Sequence, residues 1–561
     1  MVKNLYIVVV LFVLSGAPGA YGQKTSFQIG TEIIYLNGND VAYKDVGPGD
    51  TLLFAPGNRK YLLIKNLRGE AGKPIVLMNS GGEVVIDTDH YFGISIQNCR
   101  YFRFTGTGDP KSNYGFKIKR VANGGGIGIG ELSSDFEIDH ISVENCMIGG
   151  IYAKTDPDCT LASVRGTFTQ FNTSIHDNYI ANVGDEGLYV GNTKYFGQTV
   201  QCDGKDLLLF PGLLDGVKIY NNIIKYSGWD GIQVSSASKN CAIYNNTVLY
   251  DSQLETESQM SGILIGGGSK CDCYNNFISQ GKGNGIESHG LGGYRIFNNI
   301  IVDAGRTFWP GDLSRMKHGI FVTDVSVLAD SSFHIQHNNL ISPKSEGIRF
   351  SSVKSKNNLI SSNVIINPGN FDYYENDNTS FKGKDAYVMF QSTSSDVLLR
   401  NNYFARSANS AGFMSAGILL PEGFKLSSGS PLINAAETDP KIAFDFSGFP
   451  RPFGAGSDIG AFEYNVTGIS RIYPEQSEYQ NNLLENPVKD ELKIIFQHKL
   501  NDEIVLNIYN SSGQIIRKSG SSEIIFGNGN IQANIATIAS GIYFYRLCSG
   551  KIRISGKFLK K

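Results

Sequence analysis

VKIYNNII (217–224) is followed by DGIQVS (230–235), and the same two phrases alternate along the middle of the chain. Further copies of the first phrase are SIHDNYI (174–180), CAIYNNTV (241–248), CDCYNNFI (271–278), YRIFNNII (294–301), FHIQHNNLI (333–341) and VLLRNNYF (397–404). Further copies of the second phrase are EGLYVG (186–191), SGILIG (261–266), NGIESH (284–289), HGIFVT (318–323) and EGIRFS (346–351). Two short β-type runs that return together at intervals of about 23 to 44 residues predict a repeat protein of stacked coils.

Asparagine and glycine hold fixed places in these phrases. Identical amides at one point of successive coils can hydrogen-bond along the stacking axis, in steps of about 4.8 Å. The asparagines predicted to form this ladder are Asn178, Asn222, Asn246, Asn276, Asn299, Asn339 and Asn402. The glycine near the start of the second phrase marks a tight corner where the backbone approaches closely. Together with the two-residue alternation of each run, these features predict a parallel β-helix, an all-β solenoid.

The composition agrees with a β-rich chain that has many tight turns. The 561 residues include 65 glycines and 17 prolines, and 18% of the residues are charged. The net charge of −2 predicts neither a nucleic-acid partner nor attraction to an anionic membrane. At the N-terminus, Lys3, the apolar run 5–14 and the small residues up to Gly22 predict a secretory signal peptide over residues 1–22.

The segments on either side of the repeats resemble known proteins. GDTLLFAPG (49–57), KPIVLM (73–78) and GEVVID (82–87) are similar to the entry coils of secreted parallel β-helix proteins. SSGSPLINAA (427–436) and DFSGFPRPFGAGSDIGAFEY (445–464) resemble the terminal cap of bacterial right-handed β-helix proteins. The resemblance to the pectate-lyase-like superfamily implies a right-handed parallel β-helix over residues 25–464. A cap over 427–464 is expected to cover the last coil, because an uncovered coil is an open sheet edge.

The last part of the chain has a different pattern. After a polar linker at 465–480, short alternating strands occur in ENPVKDELKIIF (485–496), EIVLNIYNSSGQIIRK (503–518), ASGIYFYRL (539–547) and GKFLKK (556–561). Residues 481–561 therefore resemble the C-terminal sorting domain of the type IX secretion system of Bacteroidota, a small β-sandwich. The resemblance implies that the secretion machinery is a partner and that the protein is secreted or anchored at the outer cell surface. A carbohydrate-binding β-sandwich with a basic tail is the alternative.

The second phrase also predicts a binding face. After the corner glycine and an inward apolar residue, the next residue points outward. This outward column consists of Tyr189, Gln233, Leu264, Glu287, Phe321 and Arg349. The long connections 249–260 and 303–317 flank the coil with Glu287, and insertions in β-helix repeats usually lie on the binding face. Trp309, in the second connection, adds an aromatic ring of the kind that stacks on sugars.

A polysaccharide lyase acting on an acidic glycan is the predicted function of this face. Such an enzyme needs a base for the proton next to the sugar carboxylate and a cation that neutralises the carboxylate. The predicted catalytic residues are Glu287, His289, Lys317, His318 and Arg349. The predicted substrate-binding residues are Tyr189, Gln233, Trp309 and Phe321. The predicted ligands of a calcium ion, the one cofactor that the sequence suggests, are Asp230 and Asp324.

Two other functions stay open at this point. A glycoside hydrolase of the same fold needs two carboxyl groups, for which Glu287 with Asp230 or with Asp324 is available. A non-catalytic adhesin or glycan-binding protein is the other, because Leu264 and Phe321 interrupt the polar column and no complete catalytic motif is present.

Some of these side chains also have purely structural interpretations. Arg349 is available for an ion pair with Glu287 or with Glu346 across coils. Among the eight cysteines, two pairs are predicted to form disulfides. Cys159 and Cys202 share one irregular insertion, whereas Cys241 and Cys271 hold the same position in successive repeats.

Overall fold

The body of the protein is a parallel β-helix. The computed structural model describes residues 25–308, 316–369, 387–415 and 420–465 of this body. In the C-terminal part it describes 482–483, 488–495, 504–510, 515–520, 524–527, 530–549 and 552–561. The predicted signal peptide, Trp309 and nearly all of the predicted linker lie outside the described residues.

Each coil contributes one strand to each of three long parallel sheets. Sheet A holds Ser26–Ile29, Thr51–Phe54, Ile75–Asn79, Arg100–Thr105, Ser134–Asp139, Thr169–His176, Leu213–Tyr220, Cys241–Tyr244, Cys271–Tyr274, Tyr294–Phe297, Phe333–Gln336, Asn358–Ser361 and Val397–Arg400, with Ala237–Lys239 at its side. Sheet C holds Gly57–Arg59, Val84–Thr88, Phe116–Val121, Ile141–Cys146, Tyr179–Val183, Ile223–Ser227, Thr247–Leu249, Phe277–Ser279, Ile300–Val302, Asn339–Ile341, Val364–Ile366 and Tyr403–Ala405. Sheet B holds Tyr35–Asn37, Leu62–Lys65, Phe92–Gln97, Gly125–Gly130, Ile151–Ala153, Leu188–Val190, Ile232–Val234, Ser261–Ile265, Asn284–Ser288, Ile320–Val322, Ile348–Phe350 and Val388–Phe390.

Apolar side chains from all three sheets fill the inside of the solenoid. In the first phrase the inward residue is the one before the aromatic position, such as Ile219 and Ile243, and both are fully buried. In the second phrase the inward residue follows the glycine, as at Ile232 and Ile263. A Cβ atom at position 231 would collide with the side chain of Val248, which explains why the corner requires glycine. The alternation read from the sequence therefore matches the burial pattern of the strands.

The asparagine ladder runs inside the corner between sheets A and C. Each amide donates from Nδ2 to the Oδ1 of the next coil, at 3.1 Å from Asn178 to Asn222 and 3.0 Å from Asn222 to Asn246. Near its C-terminal end the prediction was wrong by one residue, because Asn299 bonds to Asn338 rather than to Asn339. The ladder also includes Asn363, which accepts from Asn338 and donates to Asn402, on a coil that the sequence phrases do not mark. Asn339 instead lies in a sheet C strand.

Replacing Asn246 with alanine should remove about 3 kcal/mol from the free energy of unfolding. Its Nδ2 donates to the Ile219 carbonyl and to Asn276, both at 3.0 Å, and its Oδ1 accepts from the amide and side chain of Asn222. Because the site is buried, the substitution leaves several of these groups without partners. The urea midpoint of Asn246→Ala, compared with that of the exposed Asn123→Ala, measures the effect. Equal midpoints would contradict a stabilising role for the ladder.

Both predicted disulfides are present. Cys241–Cys271 joins neighbouring strands of sheet A. Cys159–Cys202 joins two connections on successive coils, 154–168 and 191–212, and not one insertion as predicted, because a full coil of three strands lies between them. The second connection contains an antiparallel hairpin of Gln198–Cys202 and Lys205–Leu209. Arg165 stacks on Tyr195 and Phe210 at the base of the hairpin, with its guanidinium carbon 4.4 Å and 5.5 Å from the two ring centroids. The hairpin is thus fixed at its base to the connection 154–168 of the preceding coil.

The expected cap segment lies elsewhere than predicted. Residues 427–464 and the preceding 3₁₀ turns Ala408–Ala411 and Pro421–Phe424 pack against the outer face of sheet C. The shared core joins Phe277, Ile300, Val302, Ile341, Val364 and Ile366 of the sheet with Phe424, Leu432, Phe446 and Phe462 of the segment. On the last coil, Leu399 occupies the position that faces inward in the other coils, but it remains 41% exposed. The segment lies on sheet C because the outer face of that sheet is apolar over several coils and must be covered from water.

The C-terminal part forms two four-stranded antiparallel sheets. The strands of one are Asn482–Leu483, Glu491–Ile495, Asn530–Asn534 and Ile524–Gly527, in that spatial order. The strands of the other are Ile515–Ser519, Ile504–Tyr509, Gly541–Ser549 and Ile552–Lys560. Their buried side chains form a core of their own, which includes Leu492, Leu506, Ile531, Tyr545 and Phe558. The structure therefore agrees with the predicted small β-sandwich.

Candidate functional site

Sheet B carries the predicted outward column in register. Successive Cα partners are Tyr189, Gln233, Leu264, Glu287, Phe321 and Arg349. Because neighbouring parallel strands lie about 4.8 Å apart, the last three of these residues span about 10 Å along the solenoid. The column therefore brings one carboxylate, one aromatic ring and one guanidinium onto adjacent coils.

Glu287 and His289 form the centre of the candidate site. Glu287 Oε1 lies 2.8 Å from His289 Nε2. The other carboxylate oxygen accepts hydrogen bonds from Ser261 Oγ at 2.9 Å and from Asn284 Nδ2 at 2.7 Å. Burial acts to raise the pKa of Glu287, but the hydrogen bonds, that of His289 first, lower it to about 2. The carboxylate is thus ionised and fixed, and it orients an imidazole whose side chain is 27% exposed.

Lys317 lies beside this pair at the start of the next coil. Its Nζ lies 5.6 Å from the centroid of the Phe308 ring, and no described carboxylate is within ion-pair distance of it. Burial lowers the pKa of Lys317, although the more distant charges of Glu287, Asp230 and Asp251 act in the opposite direction. A lysine of lowered pKa without a direct counterion has the properties of a general base.

His318 and Arg349 meet at the buried carboxylate of Glu346. His318 Nδ1 lies 2.6 Å from Glu346 Oε2, and Arg349 Nη1 lies 3.3 Å from Glu346 Oε1. The hydrogen bond from His318, and then the charge of Arg349, lower the pKa of Glu346 against the effect of its burial. The alternative of an ion pair between Arg349 and Glu346 is confirmed. His318 is almost fully buried, whereas the Arg349 side chain is 18% exposed and contacts Met316 Sδ at 3.7 Å.

Three buried carboxyl groups lie on the Glu287 side of this cluster. Glu186 and Asp230 hold the corner position of successive coils, and Asp251 begins the long connection after sheet C. Burial raises the pKa of Glu186 to about 7 and that of Asp251 to about 6, and it raises the pKa of Asp230 well above its usual range. Both Asp230 oxygens lack a hydrogen bond of good geometry. Asp251 fixes the connection by accepting from Ser252 Oγ at 2.7 Å.

The raised pKa of Glu186 predicts a stability that falls as pH rises. Between pH 4.5, the usual pKa, and about 7, the folded chain keeps a proton that the unfolded chain releases. The free energy of unfolding therefore decreases over this interval. Glu186→Gln should be more stable than the native chain by about 2 to 3 kcal/mol near pH 8 and about equally stable near pH 4.

Urea midpoints of Glu186→Gln at the two pH values test this prediction. Glu70→Gln, which makes the same substitution at an exposed position, serves as the matched control. A Glu186→Gln variant that is less stable than the native chain at high pH would show that this carboxylate is ionised and favourably paired.

The other predicted site residues are placed less favourably for contact with a substrate. The Tyr189 hydroxyl forms a hydrogen bond with Thr193 Oγ1 at 3.0 Å. Tyr189 lies three coils from Glu287. Gln233 is 1% exposed, although it belongs to the outward column. Tyr195, from the connection 191–212, packs near Gly268, which lies four residues beyond Leu264 and after the end of its sheet B strand. Phe321 stays partly exposed and lies 5.1 Å from the His318 ring.

The two predicted calcium ligands do not form one site. Asp324 accepts hydrogen bonds from Ser352 Oγ and from the backbone amide of Val353, at 2.5 Å and 2.8 Å. It therefore stabilises a turn, whereas Asp230 is buried near Glu186 and Lys317. In the described part of the chain, the one group with metal-ligand spacing is Glu137, Asp139 and His176, on sheet A.

That sheet A group is an ion-pair network. Arg103 Nε donates to Asp139 at 2.8 Å and lies 3.0 Å from Glu137 Oε1, so a guanidinium already holds the position that a cation would take. His176 is also paired with Asp177 at 2.6 Å and stacks on Tyr220. The cluster therefore neutralises its own charge.

Sequence reasoning did not assign a role to several residues of the site. Ser261 and Asn284 hold the corner position that was recognised, but their bonds to Glu287 depend on rotamers that no pattern predicts. Asp251 and Lys344 lie outside both phrases. Lys344 is fully buried, and its Nζ donates to the Phe308 carbonyl at 3.3 Å. A single buried lysine of this kind leaves no periodic pattern in the sequence.

Comparison with solved structures gives several matches of low similarity. A pectate lyase, Pel9A, is 15% identical, with a TM-score of 0.43 over 79% of this chain and 97% of its own. An alginate lyase from Paenibacillus sp. str. FPU-7 is 12% identical, with a TM-score of 0.38 over 59% of this chain and 99% of its own. A GH136 lacto-N-biosidase from Eubacterium ramulus is 11% identical, with a TM-score of 0.42 over 68% of each chain. None of the curated proteins compared matches the chain.

Two family models match separate parts of the chain. Residues 214–404 match the right-handed β-helix region, and residues 485–561 match the secretion system C-terminal sorting domain. Among the described residues, no helix has the length and apolar character to cross a membrane. The sorting domain indicates export to the cell surface or the extracellular space. The chain is therefore a right-handed parallel β-helix protein that carries a type IX secretion C-terminal sorting domain.

Proposed function

We propose that the protein is an extracellular polysaccharide lyase that acts on an acidic glycan. The observation that carries the proposal is Lys317, a half-buried lysine of lowered pKa with no described carboxylate within ion-pair distance, whose charge interacts with Glu287 of the Glu287–His289 pair. Export through the type IX system supports a polymer outside the cell as the substrate. The outer face of sheet B, with Glu287, Phe321 and Arg349 on adjacent coils, supports binding of an extended chain along the solenoid.

In the proposed reaction, neutral Lys317 removes the proton from the carbon next to the sugar carboxylate. The electron pair of that C–H bond forms a C=C bond, and the bond between the neighbouring carbon and the glycosidic oxygen breaks. The leaving oxygen takes a proton from His289, which is held in place by Glu287. Arg349 neutralises the sugar carboxylate while negative charge develops on it, because its guanidinium is shared with Glu346 but remains partly exposed.

Hydrolysis is the second candidate, and one observation favours it. Glu287 and Asp230 have pKa values that their surroundings push in opposite directions, as in an acid and base pair. Asp230 is fully buried, however, and a general acid must reach the glycosidic oxygen. The proposal of a lyase is preferred for this reason. The calcium prediction is kept as a variable of the experiment, since the groups named for it lie apart.

The test incubates the full chain with a panel of acidic and neutral polysaccharides, with calcium and with a chelator. Ultraviolet absorbance reports the unsaturated uronic acid, and a colour reaction reports new reducing ends. A rise in both signals on an acidic glycan is expected. Reducing ends without absorbance would mean hydrolysis and would overturn the proposal. Retention of a glycan with neither signal would favour a binding protein.

A further inference from the structure

Among the described residues of the sorting domain, one outer strand has an open edge. Ile515–Ser519 is the outer strand of its sheet and, among the described strands, pairs with Ile504–Tyr509 alone. The opposite outer strand, Ile552–Lys560, is covered at its end because Lys560 bridges to Val488. An outer strand presents unpaired backbone amides and carbonyls, to which an extended peptide can add as a further strand.

Apolar and basic side chains lie together along this edge. Ile515 and Ile516 are 55% and 40% exposed, a high value for two adjacent isoleucines. An open cavity of about 610 Å³ lies beside the strand. Its lining includes Ile516, Arg517, Lys518, Ile538, Ala539 and Tyr543. Isoleucine and basic side chains therefore lie together along a strand edge with which no further described strand pairs.

The charges decide which partner fits. Two copies of this chain meeting edge to edge would place Arg517 and Lys518 against the same residues of the other copy, and this repulsion opposes self-association. The same charges attract an acidic strand. The net charge of the whole chain is −2, so this basic patch is a local feature and not a consequence of a basic protein.

We propose that the edge strand Ile515–Ser519, with its adjoining cavity, is a docking surface for an extended acidic peptide segment of a protein that handles the exported chain. The segment adds to the sheet by backbone hydrogen bonds, its acidic side chains face Arg517 and Lys518, and its apolar side chains enter the cavity. This inference is independent of the reaction proposed for sheet B.

The experiment measures binding of fluorescent peptides to the full chain by anisotropy. The probe is a short peptide of alternating glutamate and valine. Its counterparts are a lysine–valine peptide and a glutamate–valine peptide N-methylated at alternate residues, which cannot pair as a strand. The native chain should bind only the unmodified glutamate–valine peptide. The double variant Arg517→Glu, Lys518→Glu should bind it at least about tenfold more weakly.

The matched control reverses two charges on the other sheet, with Lys489→Glu and Lys493→Glu, and should bind as the native chain does. Equal melting temperatures of the two double variants show that both remain folded. Equal binding of the N-methylated peptide, or an unchanged affinity of the edge variant, would overturn the proposal. So would binding to phosphatidylglycerol vesicles without binding to the peptide, since the patch would then recognise a membrane.

Discussion

Replacing Lys317 with methionine is expected to lower kcat on the cleaved glycan by about a thousandfold, within the range that a general base contributes. Methionine keeps the length and the apolar part of the side chain, so the packing near Phe308 is preserved. In the native enzyme the rate should rise with pH as Lys317 loses its proton. Because burial lowers its pKa, this rise should occur below the usual range of a lysine.

The measurement is a pH profile of kcat for the native chain, Lys317→Met and the exposed control Lys270→Met. Lys270 is exposed and directly precedes the sheet A strand Cys271–Tyr274, so its variant should keep the native profile. Full activity of Lys317→Met would exclude this lysine as the base. A low activity that comes with an equal loss of thermal stability would mean a structural role instead.

Replacing Arg451 with methionine should lower the free energy of unfolding of the segment that covers sheet C by about 3 to 5 kcal/mol. Arg451 Nη1 lies 2.9 Å from Glu463 Oε1, and both side chains are completely buried. The same guanidinium donates to the carbonyls of Asp458 and Gly460. Without the arginine, Glu463 keeps a buried carboxyl group that has no counterion.

Urea unfolding and limited proteolysis of the segment measure this effect. The control is Arg400→Met, which removes an exposed ion pair with Glu437 and should cost less than about 1 kcal/mol. Adding Glu463→Leu to Arg451→Met should recover much of the lost stability, because a buried pair can be replaced by apolar groups. If Arg451→Met and Arg400→Met lowered the stability by equal, small amounts, the buried ion pair would not be what holds the segment on sheet C.

The repeat phrases predicted the fold well because each records a local requirement. The glycine before Ile232 and the ladder amide of Asn246 must occupy their positions in every coil, so they recur in the sequence. The failures lie where the chain departs from this rule. Asn338 and not Asn339 enters the ladder, because this copy of the phrase has one more residue before the asparagine pair. The coil of Asn363 has neither the pair nor the corner glycine, and it was missed.

The candidate site was predicted in its register but not in its burial. Alternation along a strand is sufficient to align Glu287, Phe321 and Arg349. It gives no information on which outward residues are buried, as Gln233 is in the folded chain. The position of segment 427–464 was predicted wrongly, since its resemblance to a cap did not identify the face that needed cover.

We expect the outer face of sheet B to break an acidic glycan by elimination. This is tested by the mass of the oligosaccharides that the native chain releases from the best substrate of the panel. Each new non-reducing end should be lighter by one water molecule than the saturated sugar. Products whose new ends are all saturated would show hydrolysis and would contradict this expectation.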